Sequence, residues 1–383
     1  MTPRVPYHFG SPATEPYFCD REDEVGTLER RMHDGIHVFV LGPRRYGKSS
    51  IVERALQRFR AGGGRAGYTD LILCTTESEV AQALLSAVVN GVLSGPRRKK
   101  EQLELILRRL RVAPAVSFKP DGGVTFAFDP LLASRSWQRI FDDALAVLDD
   151  AAGEGPVALA VDEFQRVAEI GREGMGGAFK AAADRITNAS LVLAGSHLSV
   201  MEKLTKARGA PLYGMGELLV IDAVPEDAMG SYLQRRARAA GKRLTKATAG
   251  YLYRRAGAVP NDVQWLAYAA FEAASGRDSI DERCVDAGIA SIVARQAPSF
   301  AERFETLAPS QQRVLKLLAA RPAAKVYARE FLAGVQVANA NAVRKALDVL
   351  MAAELVQRRA GVYEVASPFL RVWLRPCSVA LAM

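Results

Sequence analysis

The sequence predicts an α/β fold in which a parallel sheet built around a phosphate-binding loop precedes a helical lid and a C-terminal winged helix-turn-helix domain. Three observations predict it. A glycine loop, Gly42-Pro43-Arg44-Arg45-Tyr46-Gly47-Lys48-Ser49, lies between a short apolar strand and an amphipathic helix. A second apolar run, Val157 to Val161, ends in Asp162-Glu163. The last part of the chain reads as three helices followed by two short strands around Ala360-Gly361.

The loop fits G-x-x-x-x-G-K-[ST], the pattern of P-loop NTPases. Glycines at its two ends let the backbone curl so that successive N–H groups face a phosphate. Lys48 reaches the β- and γ-phosphates of a nucleoside triphosphate, and the Ser49 hydroxyl is placed for Mg²⁺. The flanks supply the context the motif needs. Ile36 to Leu41 is an apolar, β-branched strand, and Ser50 to Arg60 carries Ile51, Val52, Ala55, Leu56 and Phe59 on one helical stripe. The helix dipole also favours phosphate at that end. The expected cofactors are therefore a nucleoside triphosphate and Mg²⁺. The ligand-contacting set is Gly42, Pro43, Arg44, Arg45, Tyr46, Gly47, Lys48, Ser49 and Ser50, with Ser49 also a metal ligand.

Composition narrows the class. The 383 residues are 49% hydrophobic with a formal net charge of +9, enough chain for two or three domains and a real core. No stretch approaches the roughly 18 apolar residues of a membrane span, and Met1 to Ser11 has no apolar core of a secretory signal. The four cysteines are scattered without a C-x-x-C pair, so neither a zinc site nor a disulfide framework is indicated. A cytoplasmic protein without a membrane partner is expected. Residues 301–383 hold 12 Lys+Arg against 6 Asp+Glu, so most of the net positive excess sits in the last fifth of the chain, where a polyanion would be met.

In chain order, residues 1–16 read as an extended arm. Asp20 is the expected N-cap of a helix carrying Val25, Leu28 and Met32, which either lines the adenine side of the site or is an acidic, dipole-matched helix start with no ligand contact. After the loop helix, Gly62-Gly63-Gly64 precedes a second strand over Arg65 to Cys74, then an apolar helix over Val80 to Leu93. The Arg97-Arg98-Lys99-Lys100 cluster reads as a solvated helix face in preference to a nucleic-acid patch. Val116 to Phe128 alternates around Asp121-Gly122-Gly123 and predicts a hairpin inserted into the core at about 112–130. Trp137 to Leu148 returns to helix.

Val157 to Val161 is a buried parallel strand that delivers two carboxylates to its C-terminal edge, where open α/β sheets bind ligands. Asp162 would hold Mg²⁺, directly or through water, and Glu163 would orient and polarise the attacking water. A helix over Gly174 to Asn188 and a strand over Ser190 to Ser196 follow. Ser196, at the polar tip, is placed to sense the γ-phosphate or the water, the alternative being a plain loop serine. Glu217 to Val224 supplies a fifth strand and closes the core at residue 224.

Residues 225–298 read as a helical lid with helices over Glu226–Ala240, Lys246–Ala256, Val263–Ser275 and Asp281–Arg295. Polar residues and Pro298 mark its end. Residues 299–383 form the winged helix: helices over Pro309–Ala320, Ala328–Leu332 and Asn339–Glu354, then strands over 355–359 and 362–365. If this domain meets double-stranded DNA, Arg344 and Lys345 enter the major groove and Arg358 and Arg359 on the wing reach phosphate. The other use of such a domain is packing or contact with a protein partner.

With these motifs in place the chain resembles the archaeal-type P-loop ATPase family of the AAA+/STAND group. The residues that carry the resemblance are Gly42 to Ser50, Asp162-Glu163-Phe164-Gln165, and Gly195-Ser196-His197-Leu198-Ser199-Val200-Met201-Glu202-Lys203-Leu204. Phe18, Arg21 and Glu22 match the family's F-x-x-R-E start, and Gly257 to Pro260 its lid turn. The resemblance implies an ATPase: Lys48 and Ser49 on phosphate and Mg²⁺, Asp162 on Mg²⁺, Glu163 as catalytic base, and Ser196 as first sensor. Phe18, Arg21 and Pro260 join the nucleotide site by the same resemblance. Tyr46 stands where a small or aliphatic residue is usual. Arg172 and Arg185 are the candidates for an arginine finger, and a finger from a neighbouring subunit would require oligomerisation. The expected function is an ATP-hydrolysing switch whose nucleotide state positions the winged helix. The alternatives are a DNA-binding regulator with structural ATP and a scaffold that oligomerises on ATP.

Overall fold

Short β-branched runs with no polar face must be covered on both sides, and this chain does so with a doubly wound sheet. The computed structural model describes residues 6–92, 115–118, 124–127, 130–171, 174–206, 209–335, 339–359 and 361–375. Two compact units emerge: Pro12–Ala223, and the N-terminal arm through Ser11 together with the chain from Val224 onward.

In the first unit five parallel strands, β1 (Val38–Leu41), β2 (Arg65–Asp70), β5 (Val157–Asp162), β6 (Ala189–Gly195) and β7 (Glu217–Val220), stand in the order β2-β5-β6-β1-β7. Every residue of β1, β5 and β6 is buried. The helix Glu77–Val92 covers one face with Val80, Leu84, Leu85 and Val88, and the helix Pro130–Ala152 packs against it. Its Phe141 meets Phe179 edge-on at 5.2 Å, and Phe179 meets Phe164 at 4.8 Å. Each such pair adds about 0.5–1.5 kcal/mol beyond the area buried. The order matters for function. β6 lies between β1 and β5, so its tip stands between the phosphate loop and the Asp162-Glu163 pair.

Several boundaries differ from the sequence reading. The second strand ends at Asp70, because the Asp70 carboxylate accepts the Ile72 N–H at 2.8 Å and turns the chain. Asp20 is not the N-cap. That position belongs to Arg21, at φ 75°, and Asp20 itself lies at φ 61°. The insertion hairpin is present as β3 (Ala115–Phe118) paired antiparallel with β4 (Val124–Ala127). The Arg97-Arg98-Lys99-Lys100 cluster lies outside the described residues. No described helix is long and apolar enough to cross a membrane.

In the second unit the lid helices are Glu226–Ala239, Lys246–Arg255, Pro260–Ala273 and Glu282–Glu305. The last runs straight through Pro298, where the sequence reading placed a boundary. Proline removes one helical amide but does not end this helix, which thus belongs to both lid and winged helix. Two-residue strands β8 (Arg243–Leu244) and β9 (Ser279–Ile280) pair within the lid. The winged helix follows as Pro309–Ala320, Arg329–Val335 and Ala340–Ala352. Then come β10 (Val356–Arg359) antiparallel to β11 (Val362–Val365), and a closing helix Pro368–Leu374 that the sequence reading missed. The arm is not a free extension. Its Tyr7 is 1% exposed and donates to the Leu233 carbonyl at 3.1 Å; Phe9 stacks on Trp265 at 5.6 Å. Arg236 donates to the Pro6 carbonyl at 2.7 Å. Tyr7→Phe keeps the ring and loses one buried hydrogen bond, so it should cost about 1 kcal/mol; urea unfolding followed by tryptophan fluorescence measures it.

Candidate nucleotide site

Gly42 and Gly47 are required for different reasons. A Cβ at Gly42 would stand 2.7 Å from the Ile221 carbonyl oxygen, so only glycine lets the loop leave β1 against that backbone. Gly47 has open space around it but sits at φ 90°, which other residues adopt only under strain. It is the N-cap of the helix Lys48–Ala61, so the loop ends on a helix N-terminus as the motif demands.

Lys48 is 6% exposed, and its Nζ donates to the Pro43 carbonyl at 3.0 Å, which holds the ammonium across the mouth of the loop. Ser49 Oγ donates to Asp162 Oδ2 at 2.5 Å. The hydroxyl from the loop helix and the carboxylate from β5 therefore meet directly. Asp162 is 2% exposed; burial pushes its carboxyl above the usual range, while the Ser49 hydroxyl and the Glu163 N–H bonded to it pull the other way. Tyr68 OH also donates to Asp162 Oδ2, at 3.3 Å. Of the rest of the loop, Pro43 is half-buried, Arg44 and Arg45 are exposed with Arg45 at φ 67°, and Tyr46 is 3% exposed. The ring of Tyr46 is thus packed into the protein and does not project from the loop. Ser50 Oγ accepts the Ala13 N–H at 2.8 Å, which ties the chain after the arm to the first turn of this helix.

Glu163 sits at φ 52°, a left-handed conformation that costs a non-glycine residue roughly 1–2 kcal/mol. Its neighbours fix it there. Phe164 is fully buried in the aromatic group above and donates its N–H to the Ala194 carbonyl at 2.8 Å, while the Glu163 N–H goes to Asp162 Oδ1 at 2.9 Å. Ser196, from the tip of β6, donates its hydroxyl to Glu163 Oε2 at 2.9 Å. The structure thus brings Lys48, Ser49, Asp162, Glu163 and Ser196 to one edge of the sheet.

Several of the other predicted residues have partners of their own. Arg21 is buried, pairs with Glu24 at 2.7 Å and donates to the Asp222 carbonyl. Phe18 lies under the Arg54 guanidinium at 5.6 Å. Arg185 pairs with Asp142 at 2.8 Å, and Arg172 lies outside the described residues. Pro260 belongs to the second unit, as N1 of the helix Pro260–Ala273. In the winged helix Arg344, Lys345 and Arg358 are exposed, and Arg358 also covers the Tyr363 ring at 5.3 Å. Arg359 is exposed too, but donates to the Gly257 carbonyl of the lid turn at 3.4 Å.

The comparisons with known proteins agree with this architecture. A family model described as "probable winged helix domain" matches residues 298–376. Among solved structures, a Walker-type ATPase of Pyrococcus abyssi aligns over 97% of this chain and 100% of its own, at TM-score 0.67 and 16% identity. The fold is that of a P-loop ATPase with a C-terminal winged helix. The ORC2 protein of Aeropyrum pernix, solved in ADPNP–ADP complexes, aligns over 94% of this chain and 95% of its own, at TM-score 0.52 and 17% identity. The ORC1 protein of the same organism, solved with DNA, aligns over 93% and 92%, at TM-score 0.51 and 17% identity. No curated protein matches the chain in sequence. These structural alignments establish a shared fold, and at such identities the chemistry is left to the residues of this chain.

Two residues of this P-loop site were given no role in the sequence reading. Tyr68 is a mid-strand residue of β2, and only the pairing of β2 with β5 brings its hydroxyl to Asp162. Gln165 follows Glu163 by two residues in the sequence. Its buried position and its bonds to Glu163 and Ser196 depend on the turn after β5.

Proposed function

We propose that the chain binds ATP with Mg²⁺ at Gly42–Ser49 and hydrolyses it with Glu163, and that its nucleotide state positions the winged helix. The observation that carries this reading is the contact of Ser49 Oγ with Asp162 Oδ2 at 2.5 Å, beside a glutamate on the next residue. Two hard oxygens side by side suit Mg²⁺, which keeps most of its shell as water and phosphate oxygen. No group of three or more His, Cys, Asp or Glu among the described residues could hold a metal ion, so a site made with the nucleotide fits better than an all-protein cage. Ser49 and Asp162 would hold Mg²⁺, whose charge offsets that of the β- and γ-phosphates. The loop N–H groups and Lys48 bind the phosphates, Glu163 orients the attacking water and takes up its proton, and Ser196 keeps the Glu163 carboxylate aimed.

Packing inside the second unit supports the switch. The helix Glu282–Glu305 spans lid and winged helix, Trp265 of the lid meets Phe369 edge-on at 5.2 Å, and Arg359 reaches the lid turn. A displacement of the lid on nucleotide exchange therefore carries the winged helix with it. Arg344, Lys345 and Arg358 present positive charge on its surface, and the similar ORC1 protein was solved with DNA, so duplex DNA is the partner we favour. Tested by steady-state ATP hydrolysis with and without duplex DNA, turnover should rise on adding DNA. The effect should weaken with salt and in Arg344→Ala/Lys345→Ala/Arg358→Ala. Basal turnover that ignores DNA would assign the winged helix to a protein partner. The second reading, a DNA-binding regulator with structural ATP, is favoured by the same exposed cations; tight DNA binding with negligible turnover would support it. An ATP-dependent scaffold would show as a change of mass in light scattering on adding ATP.

A further inference from the structure

We infer that Gln165 is a positioning residue that fixes the Glu163 carboxylate and couples it to Ser196; this rests on the proposed role of Glu163. The Gln165 side chain is 2% exposed and its amide has one permitted orientation. Its Oε1 accepts the Ser196 backbone N–H at 3.2 Å, which turns Nε2 toward Glu163 Oε2 and Ser196 Oγ. A flipped amide would set an NH₂ against that N–H and an oxygen against the carboxylate. Ser196 Oγ in turn accepts from Gln165 Nε2 at 3.2 Å and donates to Glu163 Oε2 at 2.9 Å. Donors and acceptors match around the whole triangle.

The triangle has a directional consequence. Among the described residues both donors fall on Oε2, so the carboxylate is held by one oxygen and Oε1 is the oxygen presented to a water. Glu163 sits at φ 52° and is only half-buried, so without these bonds its side chain would rotate among several rotamers. Since catalytic acid–base groups work only within hydrogen-bond reach of the proton they move, loss of aim lowers turnover without touching the phosphate loop. Gln165 also links the turn after β5 to the tip of β6. A displacement of Ser196, the sensing residue in this reading, is thereby transmitted to both bonds on Oε2.

The test has two arms. In the first, Gln165→Ala should lower kcat about 10- to 100-fold while the affinity for a fluorescent ATP analogue changes less than about 3-fold. An unchanged kcat, or affinity falling in step with it, would overturn the inference. The second arm needs no turnover and so separates this inference from the ATPase reading. Gln165→Glu sets two carboxylates against each other and should lower the melting temperature of the nucleotide-free protein by at least about 4 °C. Adding Glu163→Gln restores one donor and one acceptor at the contact and should recover at least half of that loss. If the swapped pair melts no higher than Gln165→Glu alone, the two side chains are not coupled and the inference fails. If the pair is coupled while the wild type releases no phosphate, the contact stands and the ATPase reading falls instead.

Discussion

Glu163→Gln is expected to bind ATP with Mg²⁺ normally and to turn it over about 10²–10⁴-fold more slowly. Glutamine has the size and shape of glutamate and can still accept the Ser196 hydroxyl bond that Glu163 Oε2 accepts. It cannot take up a proton. The lost factor corresponds to about 3–5 kcal/mol of transition-state stabilisation, and in the proposed site the affinity for nucleotide would come from other groups, on the loop and the helix Lys48–Ala61. Rapid-quench or steady-state assays beside a binding titration separate the two quantities. A Glu163→Gln protein with normal turnover would remove the mechanism proposed here.

Lys48→Ala has the second large effect, on binding. Lys48 is 6% exposed and its ammonium is already directed over the loop by the Pro43 carbonyl, so in the proposed site it would meet the phosphates with little reorganisation. Removing a charge-assisted contact of this kind should weaken ATP binding by at least about 100-fold, or about 2.8 kcal/mol. The result is visible without chemistry. A ligand at about 100 times its Kd stabilises a protein by about 2.7 kcal/mol, which for a unit of this size raises the melting temperature by about 5–10 °C. The wild type should show that shift with Mg·ATP, and Lys48→Ala should not. A shift of the same size in both would place the nucleotide elsewhere.

The parts of the molecule legible in the sequence are those whose causes are local. β1, β5 and β6 are apolar throughout because both faces are covered, and a glycine loop between strand and helix has few other uses. The Asp162-Glu163 pair at a strand end was readable for the same reason. What the sequence left open depended on contacts between distant segments. The order β2-β5-β6-β1-β7 puts Ser196 between the loop and Glu163, and no spacing in the chain encodes that neighbourhood. Gln165 was quoted as part of a motif, yet its bonds arise only because Glu163 takes a left-handed turn above Phe164. The arm read as extended, since Tyr7, Phe9 and their prolines make no periodic pattern. Its partners, Leu233 and Trp265, are more than two hundred residues away. Arg21, which the motif offers to the nucleotide, is bonded through its guanidinium to Glu24 and the Asp222 carbonyl, partners that no sequence pattern announces.

Sustained release of inorganic phosphate from Mg·ATP, measured side by side for the wild type and Lys48→Ala, tests the central claim most directly. The proposed site predicts turnover by the wild type that stops when Mg²⁺ is chelated and is absent from Lys48→Ala. Equal release from the two proteins, or none from the wild type under conditions where it binds ATP, would contradict it.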